Sequence, residues 1–379
     1  MPFILLCLLG FLVFFSSYLR IPVLPLYAAS LGAGPAQVGS INGAFMLTAG
    51  ILSIPAGLMA DRIGRKLPIV CGVLAIAVSS LLITQCHTAL QMACSYALFG
   101  AGLAAFAPGM LSLVADVMPS KRLGQAYGWY TTAIYIAMTL GPAAGGFMGK
   151  ALGLRQVFFV SGGLSLAVAL LAPLVLPAGA SRGSAAVQSA VGGSVTLLRN
   201  RWLVACLLAT VGSCIGFGAF LTFLPLHAAA RGLDSAHVGI VFGAQALTNV
   251  VCRIPIGRVA DRLDRRWLVA AGLFSLAVAL FAIGQAGELP YLVLCAVCLG
   301  VGMALIYTAV GALIAEQAMP TLRGLAMGMY NSSIYLGMMA GAAVLGAVLA
   351  RVGYPAGFAM AGGVALAAMA GFGLMTRTR

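Results

Sequence analysis

The chain has 379 residues, 62% of them hydrophobic and only 7% charged, with a mean hydropathy of +1.08. A soluble domain carries about 25% charged residues, so a water-soluble enzyme or binding module is excluded and an all-α membrane protein remains. The net charge of +14 does not indicate nucleic acid as a partner, because the Lys and Arg sit in short clusters between apolar runs, as in the cytoplasmic loops of membrane proteins.

A spanning helix needs about 20 mostly apolar residues. Apolar runs between polar breaks predict twelve of them, over about 3–29, 36–60, 67–86, 89–115, 124–149, 154–177, 201–229, 236–260, 267–286, 289–315, 323–350 and 354–375. The first run lacks a basic leader and is longer than the apolar region of a signal peptide. Its end, Pro25-Leu26-Tyr27-Ala28-Ala29, recurs as Pro225-Leu226-His227-Ala228-Ala229, so it is expected to stay in the mature protein. The nine cysteines lie mostly in apolar segments and imply no disulfide framework. Cys295 and Cys298 form a C-x-x-C inside an apolar helix and read as packing.

With the amino terminus inside, the even-numbered connections and the tail hold fifteen Lys and Arg, among them Arg62, Arg65, Lys66, Lys121, Arg122, Arg258, Arg262 and Arg323. The other side holds four: Lys150, Arg155, Arg231 and Arg351. This asymmetry predicts that both termini are cytoplasmic.

The chain repeats itself at a shift of 200 residues. Pro55 matches Pro255, Asp61 matches Asp261, Asp116 aligns with Glu316, and Gly128, Tyr130, Tyr135 and Gly141 find Gly328, Tyr330, Tyr335 and Gly341. Six spans separate the copies, so both point the same way. The expected architecture is two six-helix bundles related by a pseudo-two-fold axis along the membrane normal: residues 1–177, a cytoplasmic linker over 178–200 rich in Ala, Gly and Ser, and residues 201–379.

The most charged stretch is GLMADRIGRK at 57–66, rewritten as GRVADRLDRR at 257–266. It matches the pattern G-x-x-x-D-R-x-G-R-[KR], and on it the chain resembles the major facilitator superfamily over essentially its whole length. The resemblance implies a cytoplasmic gate built from Asp61, Arg62, Arg65, Asp261, Arg262 and Arg265, in a bacterial inner membrane. In the second copy Asp264 replaces Gly64, which puts that half of the gate in doubt. A carboxylate at the carboxyl end of a helix is disfavoured by the macrodipole, so Asp61 calls for a partner that topology alone does not explain. Asp116 with Arg122, and Glu316 with Arg323, sit in equivalent connections and are further members expected of this network.

Ionisable groups inside a span are functional hypotheses by default. Arg20 and Arg253 are two such cations, and neither is duplicated, since Phe220 and Ser53 hold the matching positions. Gln245, Asn249 and Arg253 share a helix face, as do Thr131 with Tyr135 and Asn331 with Tyr335. Tyr27 and His227 occupy matching helix ends. Together these ten residues are expected to form a polar, aromatic-rimmed substrate cavity, although each Asn, Gln or Tyr is equally well explained as a tie between helices, Arg20 as a tie to backbone carbonyls or a snorkelling cation, and Arg253 as a member of the cytoplasmic network. A buried guanidinium favours an anionic or zwitterionic solute.

Gly141, Pro142, Gly145 and Gly146 form a G-P-x-x-G-G that resembles the helix-packing motif of exporters in the same superfamily. Tyr96 stands where its drug/proton antiporters hold an Arg. The function expected is therefore secondary transport of a small organic solute by alternating access, with export of an anionic or amphipathic metabolite preferred. The alternative is multidrug efflux by drug/proton antiport, with protons as the coupling ion through His227, a cytoplasmic carboxylate or the substrate itself. A membrane enzyme or sensor reusing the fold is remote, because no metal, phosphate-loop or nucleophile motif appears. No cofactor is called for, and a two-half transporter suffices as a monomer.

Overall fold

In lipid each backbone N–H and C=O must be bonded within the protein, and long helices satisfy that requirement segment by segment. A computed structural model describes residues 2–119, 122–176, 197–260, 263–317, 319 and 322–377, and the regular structure among them is helical. In chain order the helices are α1 (Pro2–Leu19), α2 (Val23–Ser30), α3 (Pro35–Ile63), α4 (Lys66–Ile83), α5 (Ala89–Val117), α6 (Leu123–Leu152), α7 (Leu154–Val175), α8 (Arg201–Ala229), α9 (Ser235–Ala260), α10 (Arg265–Gln285), α11 (Leu289–Gln317) and α12 (Arg323–Thr376). Nine helical stretches among the described residues are long and apolar enough to cross a membrane. Leu90, Leu174 and Trp267 are 74%, 83% and 75% exposed, an arrangement that a lipid surround makes favourable.

Two helix breaks matter. The first expected span, 3–29, is interrupted at residues 20–22, between α1 and α2. Pro22 has no N–H to continue the ladder, and the N–H groups of Val23 and Leu24 both donate to the Arg20 carbonyl, at 3.1 and 2.9 Å. The long α12 is broken at Gly353 (φ +80°), in the gap expected between runs 323–350 and 354–375.

Contacts divide the chain into two compact units. One comprises Met1–Ala33, Ala44–Ala185 and Asp234–Gly243, the other Gly34–Gly43, Ala186–Leu233 and Ala244–Arg379. In the first unit α4 and α5 cross so closely that a Cβ on Gly72 would stand 2.7 Å from the Gly102 carbonyl oxygen. The second unit repeats this between Gly272 of α10 and Gly302 of α11, at 2.8 Å. Small residues at a crossing let two backbones approach where lipid removes the hydrophobic drive between helices.

The start of α9 joins the first unit through α6, where Ser235 Oγ donates to the Gly146 carbonyl at 2.9 Å. By the same logic the start of α3 joins the second unit, where a Cβ on Gly346 of α12 would stand 3.1 Å from the Pro35 carbonyl oxygen. Most of the expected linker lies outside the described residues. At its end Asn200 caps α8, its side chain accepting from Trp202 N at 2.9 Å.

Candidate functional site

The repeated charged loops differ in backbone as well as in sequence. Gly64 adopts φ +87°, a left-handed conformation that costs an L-residue roughly 1–2 kcal/mol. Asp264 instead has φ −62°, and its carboxylate accepts from Arg266 N at 2.9 Å as the amino-terminal cap of α10. The Arg266 side chain bonds the same carboxylate, which holds the Asp264 carboxyl below the usual aspartate range. Arg266 also donates to the Thr376 carbonyl at 3.3 Å, tying the end of α12 to the loop. The second copy thus replaces a glycine turn with a helix cap.

The next arginine of each loop pairs inside its own copy. Arg65 is buried and bonds both the Asp116 carboxylate and the Ser112 carbonyl at the end of α5. It neutralises an anion at a helix carboxyl end, where the macrodipole disfavours negative charge, and ties the loop to a carbonyl one turn earlier. Arg265 pairs with Glu316 at the end of α11 in the same way, but Glu316 is 54% exposed. Arg122, expected beside Asp116, is an exposed residue at the start of α6. The side chains of Asp61, Arg62, Asp261, Arg262 and Arg323 lie outside the described residues.

The cavity candidates fall into separate clusters. In the first unit Arg20 is wholly buried at the break of α1, its Cζ 3.6 Å from the Phe99 ring centroid and 5.6 Å from that of Tyr96. Tyr27 packs against Phe158, with ring centroids 5.3 Å apart. Thr131 spends its hydroxyl on the Tyr127 carbonyl at 2.7 Å, and Tyr135 is partly exposed on the same helix.

In the second unit Arg253 Nε donates to Asn249 Oδ1 at 3.1 Å, and its guanidinium lies 5.9 Å from the Tyr307 ring. Asn249 Nδ2 in turn reaches the Gly300 carbonyl at 3.5 Å. Gln245 and Asn249 are both buried, so the expected row on one face of α9 is packed against α11. Asn331 is exposed on α12 and Tyr335 partly so.

His227 is wholly buried, and its ring nitrogens are engaged by the Ala286 carbonyl at 3.2 Å and by Arg231 Nη1 at 2.8 Å. Tyr354 and Phe358 stand edge-on to the imidazole. The imidazole is thus held between a carbonyl and a guanidinium. These contacts explain His227 without a solute.

Sequence reasoning missed Ser17, Phe45 and Phe99 around Arg20, and Tyr307 beside Arg253. The pair Tyr96 and Phe99 was detectable as an aromatic i, i+3 face on α5, but spacing says nothing of which helix it meets. The exporter-like glycines have a defined role: a Cβ on Gly141 would stand 2.7 Å from Tyr18 Cβ, and one on Gly145 would overlap the Leu19 carbonyl. They seat α6 on the carbonyls just ahead of the break in α1.

The sequence profile of the Major Facilitator Superfamily matches residues 6–239 and 206–379. The chain is 25% identical over 332 residues to the uncharacterized MFS-type transporter MJ1560 of Methanocaldococcus jannaschii, covering 86% of this chain and 85% of that one. It is 27% identical over 219 residues to the quinolone resistance protein NorA of Staphylococcus aureus, covering 58% of this chain and 56% of NorA. Its fold is similar to that of a mutant of the nucleoside transporter NupG, with a TM-score of 0.85 and 16% identity over the whole of both chains. A bacterial homolog of the human lysosomal transporter Spinster gives a TM-score of 0.81 and 16% identity over 99% of this chain and 96% of that one. At such identities the likeness concerns fold alone.

Proposed function

Because the chain belongs to the major facilitator superfamily and is a membrane transporter of a small solute, we propose that it exports an anionic or amphipathic metabolite by alternating access. The reading takes twelve spans in two six-helix bundles, residues 1–177 and 201–379, related by an axis along the membrane normal. Both termini are cytoplasmic, the bilayer is a bacterial inner membrane, and one chain suffices. The Arg65–Asp116 and Arg265–Glu316 pairs stiffen the cytoplasmic ends, where Asp61, Arg62, Asp261, Arg262, Arg122 and Arg323 complete the gate.

One observation carries the substrate class. Among the described residues, the carboxylates of Asp116, Asp234, Asp264, Glu288 and Glu316 stand at helix ends or in loops, whereas Arg20 and Arg253 stand inside spans. Charge in the interior is therefore positive, and a solute carboxylate or phosphate complements a guanidinium with two parallel hydrogen bonds. In the second unit the reading uses the polar row of Gln245, Asn249 and Arg253 on α9 and Asn331 and Tyr335 on α12, and in the first unit Thr131 and Tyr135 on α6. Tyr27 and His227 close the carboxyl ends of α2 and α8.

The test is uptake into inverted membrane vesicles of a panel of organic anions beside cationic dyes. Arg253→Gln should lower anion transport about tenfold or more, the effect of losing one charge-assisted hydrogen bond, with expression unchanged. Normal anion transport by that variant would remove the substrate class. The NorA match favours a second reading, multidrug efflux by drug/proton antiport, under which cationic dyes would move in exchange for protons and Arg253→Gln would spare them.

A further inference from the structure

Ser17 stands in the last turn of α1 and Arg20, three residues on, opens the break that follows it; both are wholly buried. The guanidinium carbon lies 3.6 Å from the centre of the Phe99 ring. At that separation the two planes lie nearly parallel, because an edge-on guanidinium would drive a nitrogen into the ring. Phe45 backs Phe99 in a stack, with centroids 4.6 Å apart and planes at 25°, and meets Tyr96 edge-on at 5.7 Å. The aromatic cluster therefore takes the charge on its face.

A ring face does not accept the N–H groups of a stacked guanidinium, which lie in the guanidinium plane and point sideways. Of these, Nε reaches the Ser17 carbonyl, at a long 3.4 Å. Nη1, Nη2 and the Ser17 hydroxyl oxygen have no hydrogen-bond partner among the described residues. Buried polar groups are nearly always paired, and a cluster of three that is not needs a reason. Among the described residues no interior carboxylate meets them, since those of Asp116, Asp234, Asp264, Glu288 and Glu316 lie at helix ends or in loops. A structural arginine is ordinarily tied to backbone carbonyls through its Nη atoms, and this one is not.

We propose that Arg20 and Ser17 form a carboxylate subsite within the first unit, in which Nη1 and Nη2 of Arg20 bind the two oxygens of a monocarboxylate group and the Ser17 hydroxyl donates a third hydrogen bond. A planar fork matches a planar carboxylate better than it matches a spherical halide. The break at residues 20–22 gives the subsite its way of opening. With Pro22 interrupting the ladder and Gly145 seated on the Leu19 carbonyl, the end of α1 can shift without unwinding a continuous helix. The inference deepens the transport reading and rests on it for the role of the anion, whose source is either the transported solute or a free anion in solution.

The experiment uses the purified full chain in detergent, with thermal unfolding followed against sodium formate, acetate and benzoate at constant ionic strength, the balance made up with a bulky sulfonate. A parallel arm uses sodium chloride. The expected result is a saturable rise in unfolding temperature with the carboxylates. Ser17→Ala should weaken apparent affinity several-fold and Arg20→Gln roughly tenfold or more. Arg155→Gln, another cation of the same unit, should leave the titration unchanged.

No saturable rise in the wild type, an equal rise in Ser17→Ala, or a chloride response equal to that of formate would each overturn the subsite. The wild-type and Ser17→Ala titrations decide it even if Arg20→Gln does not fold. Solute carboxylates that compete with formate identify the transported solute as the source. Formate binding without such competition identifies a free anion. If anion transport is absent while this titration succeeds, the export reading falls and the subsite stands.

Discussion

Arg65 reaches across from the loop ahead of α4 to hold Asp116 at the end of α5, and Arg265 holds Glu316 the same way in the second copy. The two pairs are topologically equivalent and energetically different. Arg65 is buried and also serves the Ser112 carbonyl, whereas the second pair ends on an exposed glutamate. Removing one partner of a buried, hydrogen-bonded charge costs about 1–3 kcal/mol, while an exposed pair contributes about 0–1 kcal/mol. Asp116→Asn should therefore lower the thermal stability of the purified protein clearly, and Glu316→Gln hardly at all. Equal losses in the two variants would show that the pairs do not differ in burial as described.

Gly145 faces the Leu19 carbonyl with no room for a methyl group. An alanine there forces α6 away from α1 just ahead of the break at residues 20–22, and overpacking of this kind costs typically 1–3 kcal/mol. Gly145→Ala should reduce stability by that order and slow transport. Gly163→Ala, on α7 where nothing lies within 4 Å of the added carbon, should do neither. Vesicle transport and thermal unfolding of the two variants together make the comparison.

Asp234, in the loop before α9, accepts a hydrogen bond from Lys150 Nζ at the end of α6, with 2.8 Å between the atoms. That bond is the main reason its carboxyl lies below the usual aspartate range. A lowered folded-state pKa contributes stability that is fully present above the unfolded value, about 3.9, and lost as pH falls through the folded value. Below about pH 5 the stability difference between wild type and Asp234→Asn should therefore fall, and it should vanish in stronger acid. Both side chains are substantially exposed, so the difference is expected to be small and to shrink with added salt. A difference that grew as the pH fell below about 5 would contradict the assignment.

The break in the first helix illustrates how far reading along the chain can go. Pro22 and Pro25 were visible, yet hydropathy runs smoothly through residues 3–29 and conceals the turn at 20–22. Hydropathy reports transfer of side chains to lipid and is indifferent to the backbone ladder. The replacement of Gly64 by Asp264 was visible as a departure from the pattern, but its meaning depended on φ, which is +87° at one and −62° at the other.

Composition, the 200-residue repeat and the loop GLMADRIGRK were enough by themselves to place this chain among membrane transporters of its superfamily. Each of these is local: lipid demands long apolar helices, and a signature loop is read off consecutive residues. Which groups meet was decided only by tertiary packing. Arg65 and Arg265 find acids some fifty positions away in their own copies, Arg20 settles over Phe99, and His227 turns its ring to Ala286 and Arg231. Those partners sit on helices brought alongside by glycine-lined crossings, and the spacing of charges along one helix carries no information about its neighbour.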